Sequence, residues 1–264
     1  MSWWYVVDMK LRVLAAALAL VFGFASSALS GVLPGGPPSF DLDVTSSIVD
    51  DARHVSPTLV STGSGYTASG NVSTPSYSLS FAFTSLNPDP AVTGSFTLTN
   101  LSSATQTFSV SATLGVLPIS GQTQLTGYFG DATYRDTNDG ADGGDGSVGF
   151  GTPGSDPFYR AEIDGGVVHV LGSFTFVALA SDPGVFGTLS KDSFGPIAGP
   201  AVGSKIGVSF PGFMLTAHDT LQVPFEFAVV PEPTLGGLFA ASLALMILFR
   251  RCARKSFHED EAAW

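Results

Sequence analysis

Residues 31–230 predict an all-β domain, an antiparallel β-sandwich, with a closed barrel as the alternative. Three observations lead to this prediction. Apolar residues alternate with Ser, Thr and Asp along several segments, which is the period of strands that bury one face. No segment of 31–230 sustains the 3.6-residue period of an amphipathic helix. Gly, Pro and Asn separate the alternating segments, as expected for turns between strands.

Five segments carry the alternation most clearly. They are Phe40–Val44, Tyr77–Phe83, Phe96–Leu98, Phe108–Leu114 and Leu221–Val229. Their intervening positions are mostly Ser and Thr, which are tolerated on the solvent face of a strand. Each segment is therefore predicted to be a strand with its apolar positions in the core.

Local residue choices predict three further features. Pro224 cannot donate a ladder hydrogen bond, so the last segment is predicted to be an edge strand. The Asp164-Gly165 step between two apolar runs predicts a tight hairpin. Val167–Ala180 then predicts either one long strand or a pair of strands.

The N-terminus predicts a secretory signal peptide over residues 1–30. Lys10 and Arg12 precede the apolar run Val13–Phe24, and small residues continue to Ser30. The run has 12 residues, too few to span a bilayer comfortably. Translation starts at Met1 or at Met9, because the first eight residues are unusual for the start of a signal peptide. An anchor that is never cleaved is the alternative.

A second apolar stretch, Thr234–Phe249, predicts a single transmembrane helix. It has 16 residues and no charge, and as an α-helix it would cover about 24 Å. Four cations follow it: Arg250, Arg251, Arg254 and Lys255. The positive-inside rule places these cations in the cytoplasm and the preceding domain outside it. Residues 256–264 would then be a short cytoplasmic tail.

The tripeptide Pro231-Glu232-Pro233 stands directly before the predicted helix. The order Pro-Glu-Pro, apolar helix and Arg cluster over residues 231–255 resembles the PEP-CTERM sorting signal of exported bacterial proteins. The resemblance implies an exosortase as partner, an integral-membrane enzyme of the cysteine transpeptidase kind that cuts near the motif. It also implies a cell-surface or extracellular-matrix destination. The tail from Ser256 departs from the family pattern, which usually ends at the basic cluster.

Segments of the exported domain also resemble PEP-CTERM ectodomains. Thr97–Phe108 is similar to a "TNTSSxTQTF" hairpin, and Tyr159–Gly165 to a "YxAxIDG" segment. Phe194-Gly195-Pro196, Gly199–Val202 and Ile206–Val208 are similar to a late loop and strand. The resemblance implies a relative over the whole domain and brings no biochemical activity with it.

Charge and cysteine content exclude several classes of protein. The chain carries a formal net charge of −11, and residues 31–230 hold five Lys and Arg against 17 Asp and Glu. Such an acidic domain argues against a nucleic-acid partner, because the phosphate backbone requires cations. The chain has one Cys, Cys252, which excludes a disulfide framework.

The polar stretch from Asp131 to Gly146 is a candidate calcium site, since Ca²⁺ prefers carboxylate and carbonyl oxygens in a loop that glycine lets fold. EF-hand spacing is not met, and a solvated loop is the alternative. The candidate ligands are Asp136, Asn138, Asp139, Asp142 and Asp145. No other cofactor is predicted.

No catalytic motif accompanies the three histidines of the domain. Neither Gly-x-Ser-x-Gly nor His-Glu-x-x-His occurs. His169 falls in an apolar run and is predicted to be a strand histidine, whereas His218-Asp219 is predicted to be a solvated turn pair. Asn71 and Asn100 each begin an Asn-x-Ser pattern, which carries little weight in a bacterial chain.

These observations together predict a non-enzymatic secreted, cell-surface or extracellular-matrix protein. Its precursor would be held by the C-terminal helix and processed by an exosortase. The alternative is a surface module that binds carbohydrate or calcium, with exopolysaccharide as its partner.

Overall fold

A computed structural model describes residues 37–48, 51–87, 90–136, 146–150, 157–172, 177–180, 186–232 and Met246. The strands below all belong to one compact unit, Gly31–Pro231. The predicted signal peptide, basic cluster and tail lie outside the described residues, as does the predicted helix apart from Met246. Within the described ranges, no helix is both long enough and apolar enough to cross a membrane.

The described part of the domain consists of strands joined by turns and loops. In chain order they are β1 (Phe40–Ser46), β2 (Arg53–Val55), β3 (Val60–Thr62), β4 (Gly65–Ser73), β5 (Tyr77–Asn87), β6 (Ala91–Asn100), β7 (Gln106–Gly115), β8 (Thr123–Phe129), β9 (Ala132–Arg135), β10 (Gly146–Phe150), β11 (Tyr159–Ile163), β12 (Gly166–Leu171), β13 (Val177–Ala180), β14 (Phe186–Leu189), β15 (Asp192–Gly199), β16 (Lys205–Leu215) and β17 (Thr220–Pro231).

These strands form two antiparallel sheets. The first has the order β12-β11-β16-β7-β1-β2, with β10 also paired to β16 and β13 paired to β10. The second has the order β14-β9-β17-β6-β5-β4-β3, with β8 also paired to β17 and β15 paired to β8. The predicted all-β class is confirmed, and the arrangement is sandwich-like.

The core lies between the two sheets. Every apolar position that the alternation marks in β1, β5, β6, β7 and β17 is at most 5% exposed. Aromatic rings from the two sheets meet edge to face, with 4.5 Å between the ring centroids of Phe40 and Phe83 and 5.1 Å between those of Phe96 and Phe210. Such pairs add to the burial of their apolar area. The period-two pattern therefore identified these five strands and the face that each one buries.

The prediction of an edge strand at Pro224 is wrong. β17 is central, with β6 on one side and β8 and β9 on the other. The carbonyl of Pro224 accepts a hydrogen bond from the amide of Gly130, at 2.8 Å, so Pro224 faces the junction where β8 has ended and β9 has not begun. The missing amide hydrogen thus falls at a break in the ladder, where it disrupts no regular pair.

The prediction of a hairpin over Thr97–Phe108 is also wrong. β6 belongs to the second sheet and β7 to the first, so the connection crosses between the sheets. Asn100 is fully buried at this crossing, and its side-chain nitrogen lies 3.0 Å from the carbonyl oxygen of Leu215 and 2.9 Å from that of Thr216. The hairpin was expected from the resemblance of this segment to PEP-CTERM ectodomains, and the placement of β6 and β7 in different sheets overturns that expectation.

The predicted hairpin at Asp164-Gly165 is confirmed. It joins β11 to β12, with φ of 52° at Asp164 and 83° at Gly165, the left-handed pair that a two-residue turn requires. The stretch that follows forms two strands, β12 and β13, which pair with different neighbours, β11 and β10. Val167–Ala180 therefore contains two separate strands and not one long strand.

Candidate functional sites

The predicted sorting motif begins inside the second sheet. β17 runs without a break to Pro231, which lies opposite Thr123 as the last pair between β17 and β8. Glu232 follows directly and is half-buried, whereas Pro233 lies outside the described residues. The first proline of the motif is thus the last residue of a central strand, and no linker separates the domain from the motif.

The cations of the predicted membrane stop, Arg250 to Lys255, also lie outside the described residues. Among the predicted sorting residues, the structure therefore describes the positions of Pro231 and Glu232.

The structure describes one of the five candidate calcium ligands, Asp136. Asp136 follows β9 and is almost fully buried, unlike a residue of a solvated loop. Asn138, Asp139, Asp142 and Asp145 lie outside the described residues. In the part of the chain that is described, no three His, Cys, Asp or Glu side chains come together as a metal site would require. The calcium site stays a prediction.

A cluster around His54 on the first sheet was not predicted. The His54 Nδ1 atom lies 2.7 Å from Asp43 Oδ1, and its Nε2 atom lies 3.5 Å from Asp41 Oδ1. The Ser56 hydroxyl lies 3.3 Å from Nε2 but donates to Asp41 Oδ1 at 2.7 Å. Asp41 and Asp43 share a face of β1 through the period of two, but the pairing of β1 with β2, which brings His54 opposite Asp43, is not visible in the sequence.

This cluster contains the residue types of a serine hydrolase without its proton path. A catalytic histidine must be neutral at the nitrogen that takes the proton of serine. Here the hydrogen bond and charge of Asp43, followed by the charge of Asp41, raise the pKa of the His54 imidazole, although the little burial there opposes the shift. The ring is also 60% exposed, so water has free access. The departure from a serine hydrolase is therefore geometric: the Ser56 hydroxyl donates to Asp41 and not to His54.

The second unpredicted cluster is centred on Asp219. The predicted solvated turn pair His218-Asp219 is wrong for Asp219, which is fully buried. The Tyr134 hydroxyl donates to Asp219 Oδ2 at 2.5 Å, and the Thr216 hydroxyl donates to the same oxygen. His218 adopts a φ of 61°, which turns the chain so that the next side chain points inward. Burial and the hydrogen bond to Asp219 raise the pKa of the Tyr134 hydroxyl well above its usual range.

His169 lies on β12, as predicted, and its ring stacks on that of Phe194 with 4.1 Å between the centroids. Phe194 belongs to β15 of the second sheet, so the predicted late loop at this position is part of a strand. The stacking gives His169 a role in packing the two sheets against each other.

Asp164 connects the turn between β11 and β12 to the stretch Gly203–Lys205 at the start of β16. Its carboxylate accepts hydrogen bonds from the backbone amides of Gly203, Ser204 and Lys205, at 2.7, 2.8 and 3.1 Å. These amides lower the pKa of Asp164. The hairpin between β11 and β12 is thereby tied to the loop that precedes β16.

No protein-family model matches this chain, and no curated protein matches it.

Proposed function

We propose that this chain is the precursor of an exported, non-enzymatic surface or extracellular-matrix protein that an exosortase processes near Pro231-Glu232-Pro233. The observation that carries the proposal is the position of the motif. β17 completes the second sheet at Pro231, so the domain needs no residue beyond the first proline of the motif. A cut after that point would release a complete domain.

The outer face of the second sheet supports a role in surface or matrix assembly. The strand register places Gln222, Thr97, Ser80 and Asn71 next to one another across β17, β6, β5 and β4. Such a row presents hydroxyl and amide groups about 4.8 Å apart from strand to strand. Such a surface can form hydrogen bonds with water and with polar, uncharged polymers.

A carbohydrate-binding module is the second candidate, and the same row of polar side chains favours it. Exopolysaccharide would be the partner. A glycan array probed with the domain tests this function: saturable binding that Thr97→Val and Gln222→Leu abolish together supports it, and an array without binding rejects it.

Release from the membrane tests the proposed processing. In the native host, we expect the wild-type domain to leave the membrane fraction and Glu232→Gln to keep it there. Glu226→Gln is the matched control, since it makes the same change on β17 upstream of the motif. A wild-type chain that stays in the membrane fraction of a host with an active exosortase contradicts the proposal.

A further inference from the structure

The end of β17 is held on both sides. The Val229 side chain is buried, and its amide donates to the carbonyl of Pro90 at 2.8 Å. On the other side, Thr123 is fully buried, and its hydroxyl donates to the carbonyl of Pro200 at 2.7 Å. The residue opposite Pro231 is therefore anchored to a separate loop, and β17 cannot leave the sheet without breaking the hydrogen bond from Val229 and its pairs with β8.

Pro231, the last residue of β17, has no amide hydrogen to donate to a neighbouring strand. The amide of Val229 points to the β6 side, and alternate residues of a strand point the same way, so the nitrogen of Pro231 faces that side as well. Among the described residues, the last pair between β17 and β6 is Ala228 with Ala91, and the carbonyl of Pro90 accepts the hydrogen bond from Val229 just beyond it. A residue without an amide hydrogen fits this position.

An enzyme that cuts a peptide chain must first bind it, and extended peptides are commonly bound by adding a strand to an exposed edge. The backbone of β17 up to Val229 is engaged by neighbouring strands, and its alternate side chains are in the core. In contrast, Val230 is 53% exposed and Pro231 is exposed. Val230 and Pro231 nevertheless remain paired with Gln124 and Thr123 of β8. Among the described residues, the backbone therefore leaves the sheet only after Pro231.

We propose that the folded domain confines processing to bonds on the C-terminal side of Pro231, so that the mature protein keeps the whole of β17. This inference rests on the proposed function, because it concerns where the same enzyme cuts. The fold thus acts together with the motif, and the end of the sheet sets the upstream limit of the substrate.

The first experiment locates the C-terminus of the processed protein. The full-length precursor is expressed in its native host, and the C-terminal peptide of the processed form is identified by mass spectrometry. A chain that ends at Pro231 or later is the expected result. A chain that ends at Val230 or earlier overturns the inference but leaves the proposed function standing.

If the precursor stays unprocessed, the proposed function is overturned instead. Proteinase K then provides a test of the protection of β17 that does not depend on an exosortase. Added to the purified precursor, the protease is expected to leave a domain that ends at Pro231 or later. A cut within β17 contradicts the inference.

Two insertion variants separate the effect of the fold from that of the motif. Gly-Ser-Gly-Ser between Val230 and Pro231 keeps the motif intact but moves it off the sheet, so proteinase K should now cut within the insert. The same insertion between Gly63 and Ser64, in the exposed turn between β3 and β4, should leave the C-terminal cut unchanged. Identical C-terminal cuts in both variants contradict the inference.

Discussion

Pro231 lies opposite Thr123 at the last rung between β17 and β8. The first residue of the predicted sorting motif is therefore also the last residue of the final strand of the domain. β17 is central, and it joins β6 on one side to β8 and β9 on the other.

The first prediction concerns this strand. A fragment of residues 31–232 should fold in one cooperative transition, whereas 31–219 should not fold. The shorter fragment lacks β17, whose buried side chains are Leu221, Val223, Phe225, Phe227 and Val229. Circular dichroism during thermal unfolding measures both. Cooperative unfolding of the shorter fragment would show that β17 is dispensable.

The second prediction concerns the buried carboxylate of Asp219. Tyr134→Phe removes the hydroxyl that donates to Asp219 Oδ2 and should lower the free energy of unfolding by about 1.5–3 kcal/mol. Tyr128→Phe is the control, because Tyr128 lies on the exposed face of β8 and should change stability little. Urea titrations compare the two variants, and equal stabilities would contradict this role for Tyr134.

The third prediction uses the two Asn-x-Ser positions as a matched pair. Asn100→Asp should lower the free energy of unfolding by about 3 kcal/mol or more, because a buried carboxylate would face the carbonyls of Leu215 and Thr216. Asn71→Asp makes the same change on the exposed face of β4 and should cost little. If both variants unfold at the same urea concentration, Asn100 does not hold the crossing between the sheets.

The fourth prediction concerns the pKa of His54. NMR titration should place it above the usual value of about 6.5. Asp43→Asn should lower it more than Asp41→Asn, since Asp43 makes the closer contact. A raised pKa means that the stabilising charge is fully present below the unfolded-state pKa and is lost as the pH rises through the folded-state pKa. A His54 pKa at or below 6.5 would contradict the interaction of the His54 ring with the carboxylates of Asp43 and Asp41.

The sequence pattern predicted β1, β5, β6, β7 and β17 and their buried faces because period-two alternation is a local property. It could not predict which strands become neighbours. Pro224 suggested an edge strand, but it lies in a central strand beside the junction of β8 and β9. The hairpin that the family resemblance implied over Thr97–Phe108 does not form, because its two strands lie in different sheets. Non-local pairing decided both outcomes.

For the candidate sites too, local features could be predicted from the sequence and non-local contacts could not. The turn at Asp164-Gly165 could be predicted because residues with a positive φ are encoded locally. Asp219 could not, since its burial depends on a Tyr134 hydroxyl 85 positions away in the chain. The cluster of Asp41, Asp43 and His54 likewise requires the register between β1 and β2.

The mass of the mature protein tests the central claim most directly. The chain is isolated from its native host and from the same host without its exosortase, and the intact masses are compared. Processing near Pro231-Glu232-Pro233 predicts that the protein from the first host lacks residues 234–264 and that the protein from the second retains them. Residues 234–264 still attached in the host with an intact exosortase would contradict the claim.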